Sequence, residues 1–245
     1  MSEETKVKEK KESKFAAHLT ENKIEFIVAI FLGVTALFTS WAGWIGSLHG
    51  GNQATNYTES NNYASMGNSE WNQASQYLMQ DMMTWNTISD LMIELTFAED
   101  KGDADAAEKY SWKIDQIITD NCTPEFAEAV EWALDQAETT GEFVSPFDKE
   151  GFEDSYYADA QELLDTADQL LEDGKADNQA GDSFNLVVVI YSITLFLLGI
   201  VGIFKNLPNR RIVLVIAIVA FVIATIYMFT LPMPTGFSMG SYFGA

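Results

Sequence analysis

Three uncharged apolar runs, each about twenty residues long, dominate the pattern of the chain, over 26–45, 185–204 and 212–231. As helices, each is long enough to cross the hydrocarbon core of a bilayer. Pro232 follows the third run at once and closes it, because proline cannot continue the helical bond ladder. Trp41 and Trp44 sit towards the end of the first run, where amphipathic rings favour the membrane–water interface. Ser40-Trp41-Ala42 could serve as the cleavage site of a signal peptide. The apolar run is longer than a signal core and continues to Ile45, so an uncleaved anchor is favoured. Glu25, beside Lys23 at the edge of the run, can reach the headgroups and needs no special role.

Between the first and second runs the periodicity is helical. Trp71, Leu78, Trp85 and Met92 recur every seven residues, and Ala74, Ile88 and Leu95 fall three later, as in an a/d seam. Asp81 breaks the seam at one d position, and Met82 is expected to cover that gap. The register extends back to Ala64 and Tyr57. A second stripe, Tyr156, Ala160, Leu163, Ala167 and Leu170, leads towards the second apolar run. The two stripes are expected to pair, with Trp71, Leu78, Trp85 and Ile88 facing Tyr156, Leu163 and Leu170. Gly50-Gly51 and Gly181 are the expected joints with the membrane helices, because glycine weakens a helix interior. Shorter helices are expected between, one over 104–119 and one starting at Thr123-Pro124, a cap with proline at the first helical position. Residues 141–151, with Pro146, read as a loop.

Charge orients this layout. Six lysines occupy residues 1–23, and the turn 205–211 holds Lys205, Arg210 and Arg211 without an acid. The segment 47–183 carries five lysines, no arginine and thirty acidic residues, and the whole chain has a net charge of −22. Basic residues near span ends mark the cytoplasmic side. The expected fold is therefore all-α, an integral membrane protein with three transmembrane helices and an elongated helical-hairpin outer domain. Its parts run as follows: cytoplasmic tail 1–23, first span 24–46, acidic extracytoplasmic domain 47–183, second span 184–204, cytoplasmic turn 205–211, third span 212–232 and extracytoplasmic tail 233–245. Such an acidic chain is a poor partner for nucleic acid.

Candidate chemistry is sparse. His18 and His49 are the only histidines, and the topology puts them on opposite sides of the membrane. Cys122 is the only cysteine, so neither an intramolecular disulfide nor a multi-cysteine metal site can form. No phosphate loop, nucleophile elbow or His-Glu-x-x-His occurs, and the spans carry no acid, base or histidine at depth. Neither an enzyme nor a bound cofactor is expected. The metal candidate is the acidic turn Asp100, Asp103, Asp105 and Glu108, which could collect calcium but lacks the spacing of a calcium loop. Its competing reading is a solvated acidic run at a helix start. Asn56-Tyr57-Thr58 and Asn121-Cys122-Thr123 are glycosylation sequons.

Four stretches carry a resemblance: Asn52-Gln53-Ala54, Glu70-Trp71-Asn72-Gln73-Ala74, Gly181-Asp182-Ser183-Phe184-Asn185-Leu186, and Arg210-Arg211. In layout the chain resembles small prokaryotic three-span membrane proteins grouped as a domain of unknown function. In these, a Trp-bearing, Asn/Gln/Ala-rich helix follows the first span and a Gly-Asp pair opens a helical hairpin with a basic turn. Asn72 stands where an aromatic residue accompanies the Gln-Ala pair in that family. The resemblance implies architecture and no activity. The functional expectation is a membrane-anchored structural or interaction protein presenting an acidic helical stalk. Its partners are the lipid bilayer and, through the stalk, another protein or a second copy. The alternative is a sensor or accessory subunit that binds a cation or cationic ligand through the acidic outer domain.

Overall fold

The computed structural model describes residues 3–204 and 209–237, with side chains from residue 23 onward. Its helices are α1 (Glu3–Lys101), α2 (Ala104–Asn121), α3 (Pro124–Thr140), α4 (Phe152–Ser155), α5 (Ala158–Ile203) and α6 (Arg210–Thr230), with one 3-10 turn at Pro146–Asp148. No strand occurs among the described residues. The chain divides into two compact units, Met1–Thr58 with Leu171–Ala245, and Glu59–Leu170.

The first unit holds the apolar stretches of α1, α5 and α6, each in a helix long and apolar enough to cross a membrane. Their contacts form two layers. One joins Ala42, Ile45, Phe184, Val187, Tyr191, Ala224 and Met228, the other Val28, Leu198, Val201, Leu214 and Ala217. The Tyr191 hydroxyl lies 2.9 Å from Thr225 Oγ1, so this buried phenol has a partner. The outward faces are apolar too: Phe26, Leu37, Ile193, Phe196, Ile226 and Phe229 are all exposed. Water does not tolerate such a surface around a bundle, whereas lipid does.

The expected glycine joints are absent. Both α1 and α5 run unbroken through Gly50-Gly51 and Gly181, because a single glycine costs a helix only about 1 kcal/mol and packing offsets it. Close approach is the role of Gly174: a Cβ there would lie 2.5 Å from the Tyr57 ring. At Gly181 the carbonyl of Gly46 and the Cβ of His49 come within 3.5 and 3.6 Å of a would-be Cβ.

The second unit has a core in which Trp85 and Ile88 of α1 pack with Ile114 of α2, Phe126, Ala129, Val130 and Ala133 of α3, and Phe152 of α4. Thr123 caps α3, its Oγ1 accepting from the Phe126 amide at 3.2 Å, with Pro124 in the first turn. Gly141 ends α3 in the left-handed conformation at φ 73°, where a side chain would be strained. α1 and α5 also meet within this unit. The Ser60 hydroxyl donates to the Ala167 carbonyl at 2.7 Å, Gly67 lies against Leu164 and the Ala160 carbonyl, and the Trp71 ring lies 4.4 Å from that of Tyr157. As numbers rise on one helix they fall on the other.

This packing corrects three expectations about the seam. Trp85 and Ile88 find their main partners on α2, α3 and α4 rather than on the second stripe, where only Tyr156 reaches their cluster. Trp71 is 42% exposed and lies against Tyr157, just before α5, rather than in the core. Met82 is 42% exposed and does not join the core, while Asp81 itself is 5% exposed and fills the d position.

Candidate functional site

Asp81 stands apart from every other acid in its unit. Residues 59–170 include 26 aspartates and glutamates, and 25 of them are exposed. Asp81 is the exception, held under Tyr156, whose hydroxyl donates to its Oδ2 at 2.5 Å. Burial raises the Asp81 carboxyl above its ordinary value, and the Tyr156 hydrogen bond partly offsets the rise. The same pair pushes the Tyr156 phenol far up, burial first and the Asp81 bond second. Burial, then the Asp81 charge, pushes the nearby Cys122 thiol up to about 11. That thiol is therefore protonated at neutral pH and is a poor nucleophile.

The Asp81–Tyr156 pair lies in the wall of a cavity of about 390 Å³. α1 supplies Glu70, Gln73, Tyr77, Gln80 and Asp81 to it, the α2–α3 junction Asn121, Thr123 and Glu125, and the stretch from α4 into α5 Phe152, Ser155, Tyr156 and Asp159. Four carboxylates and two phenols line it, with no basic residue. Phe152 in its lining stacks on Phe126 with centroids 6.2 Å apart, and the Tyr156 ring meets Phe152 edge-on at 5.3 Å. A cavity of negative potential with aromatic walls suits a cation, attracted by the carboxylates and by ring faces.

The acidic turn expected to collect calcium is built differently. Asp100 belongs to the last turn of α1, and Asp103 caps α2, its Oδ1 accepting from the Ala106 amide at 3.2 Å. Asp105 sits in the first turn of α2, where an acid favours the helix dipole, and Glu108 is exposed one turn on. Among the described residues no group of three or more His, Cys, Asp or Glu side chains is arranged to hold a metal ion. The four residues do not converge.

A second polar cluster lies in the first unit, around His49, which is 2% exposed. Its Nδ1 is 2.7 Å from Asp177 Oδ1 on α5, and its Nε2 is 3.1 Å from the carbonyl oxygen of Pro232, beyond α6. Asn56 donates to the other Asp177 oxygen at 3.3 Å. The side chain of His18 lies outside the described residues. Neither Asp81 nor Asp177 stands out in the sequence, where thirty acids crowd one segment; only an acid in an apolar register at position 81 hinted at burial. No protein-family model matches the chain, and neither does any curated protein or solved structure.

Proposed function

We propose that the chain is a membrane-anchored interaction protein that presents an acidic helical domain outside the membrane. In this reading the tail 1–23 and the turn 205–211 are cytoplasmic, and residues 47–183 form an extracytoplasmic helical hairpin. The three apolar helices support the anchoring, and the distribution of lysine and arginine supports the orientation. The α1–α5 contacts from Ser60 to Trp71 support the hairpin. One observation carries the interaction: 25 of the 26 acids in residues 59–170 are exposed. Such a surface repels itself at a cost to the fold and attracts basic partners over about a Debye length, roughly 8–10 Å. A photo-crosslinking residue in place of Trp112, which is 59% exposed, tests it in intact membranes. A protein adduct, or a dimer of this chain, that weakens as salt is raised is the expected result. A residue that crosslinks to neither protein nor second copy speaks against the proposal.

The cavity around Asp81 favours a second reading within the same frame, in which the domain senses an organic cation. Four carboxylates and no basic residue line it, and the most buried of them is already held by a phenol. Calorimetry with spermidine and with tetramethylammonium on the full-length protein in nanodiscs separates the two readings. Binding that is lost in Asp81→Asn and Glu125→Gln favours the sensor; binding that these changes leave intact, or none, favours the interaction surface alone.

A further inference from the structure

His49 is placed where its proton count can be read from its neighbours. A neutral imidazole offers one N–H and one lone pair. Here both ring nitrogens face acceptors, a carboxylate oxygen at 2.7 Å and a proline carbonyl at 3.1 Å. With a neutral ring and an ionised Asp177, one contact would set lone pair against lone pair. Both contacts are satisfied together only when the His49–Asp177 pair holds one proton more than that, whichever of the two carries it. The geometry points to a proton-dependent clamp, in which that single proton holds the segment Pro232–Phe237 against the end of the first span.

The surroundings fit the role. Phe184 stacks on the ring at 5.7 Å and 25°, and Gly181 lets α5 approach it. Asp177 is 8% exposed and Asn56 holds its second oxygen. The other charged groups near it on α5 are Glu172, Asp173, Lys175 and Asp182, all exposed. α1 has no charged side chain between residues 26 and 58, where Tyr57 is the one tyrosine, and none follows Arg211, where Tyr227 lies on α6. Asp177 is thus the counter-charge to His49.

The sign follows from proton counting. When the pair loses its extra proton, the remaining N–H stays on the carboxylate, because a charge-assisted bond is the stronger of the two. Nε2 then turns a lone pair to the Pro232 carbonyl. The segment keeps two exposed bonds from Asn52 to Thr235, at 3.1 and 3.3 Å, the burial of Pro234 and the packing of Phe237 against Trp41 and Trp44, but loses its bond to the buried ring. The docked arrangement requires the extra proton and the released one does not. Docking is therefore complete at low pH and is lost as pH rises, by at most about tenfold in population ratio per pH unit for one proton.

Two measurements on the full-length protein in nanodiscs test the clamp. His18→Ala leaves His49 as the only histidine, so nitrogen NMR of labelled imidazole reports its protons directly. Spin labels on thiols at Thr55 and Met233, in a Cys122→Ser background, report docking as a distance distribution. With pH raised from about 5, the expected result is a single short distance while Nε2 carries a proton. The distance should broaden over the pH interval in which one proton leaves, and His49→Phe should be broad throughout. A short distance that persists with Nε2 deprotonated overturns the clamp. So does an Nε2 that keeps its proton at every pH where the protein is folded, or a pH response that survives in His49→Phe.

Discussion

Replacing Tyr156 by Phe removes one oxygen and little else, since the ring can keep its edge-on packing against Phe152 at 5.3 Å. That oxygen donates at 2.5 Å to a carboxylate on a residue that is 5% exposed. A hydrogen bond to a charged group is worth about 1.5–3 kcal/mol, and Asp81 would be left buried without it. Local opening of the core around α3 should then become easier by roughly ten- to hundredfold. Amide hydrogen exchange of the full-length protein in nanodiscs, read on peptides from α3 and from residues 71–85 of α1, measures that opening. The background matters. In Asp81→Asn the same change breaks a neutral bond of about 0.5–1.5 kcal/mol, so the two effects should not add. The pH dependence has a definite sign. The Tyr156 bond lowers a carboxyl that burial has raised, so its loss raises the carboxyl further. The cost of Tyr156→Phe should therefore be smallest in acid and should grow as pH rises through the Asp81 titration. An exchange rate changed by less than about twofold, or an equal cost in the Asp81→Asn background, would refute the reasoning.

Other consequences can be measured on the same preparation. Trp85 is 5% exposed in the core with Phe126 and Val130, so Trp85→Ala should destabilise that core by about 3–5 kcal/mol, seen as faster exchange across α2 and α3. Unchanged exchange would remove Trp85 from the core. Gly174→Ala puts a Cβ 2.5 Å from the Tyr57 ring, so the α1–α5 contact must shift and the melting temperature should fall, while Gly50→Ala, with open space around it, should not lower it. Adding salt should raise the melting temperature by screening the exposed acids. Sodium and calcium at matched ionic strength should act alike, since Asp100, Asp103, Asp105 and Glu108 do not converge. A calcium effect at far lower concentration, abolished by Asp103→Asn, would show a site there after all.

The parts legible in the sequence are those with local causes. Long apolar runs give helices able to cross a membrane, and the Thr123-Pro124 start is a cap whose signals lie within four residues. The parts that were not legible depend on distant partners. Asp81 reads as a flaw in a heptad because periodicity counts apolar positions, and the phenol that makes its burial tolerable is 75 positions away. Trp85 and Ile88 match the α5 stripe in spacing, yet α2, α3 and α4 fold back over them, and spacing alone cannot choose between two apolar partners. Gly181 reads as a hinge, whereas its use, like that of Gly174, is to let α1 come close. His49 has no local signature at all, because one of its two partners is a backbone carbonyl 183 positions away.

In the proposed topology, residues 47–183 and the turn 205–211 lie on opposite sides of a membrane. With Cys122 replaced by Ser, single thiols at Ser65 and Asn209, both exposed, can be offered a membrane-impermeant maleimide from outside intact cells. The thiol at position 65 should react at once and the one at 209 only after the membrane is opened. Labelling of 209 from outside with 65 protected would contradict it.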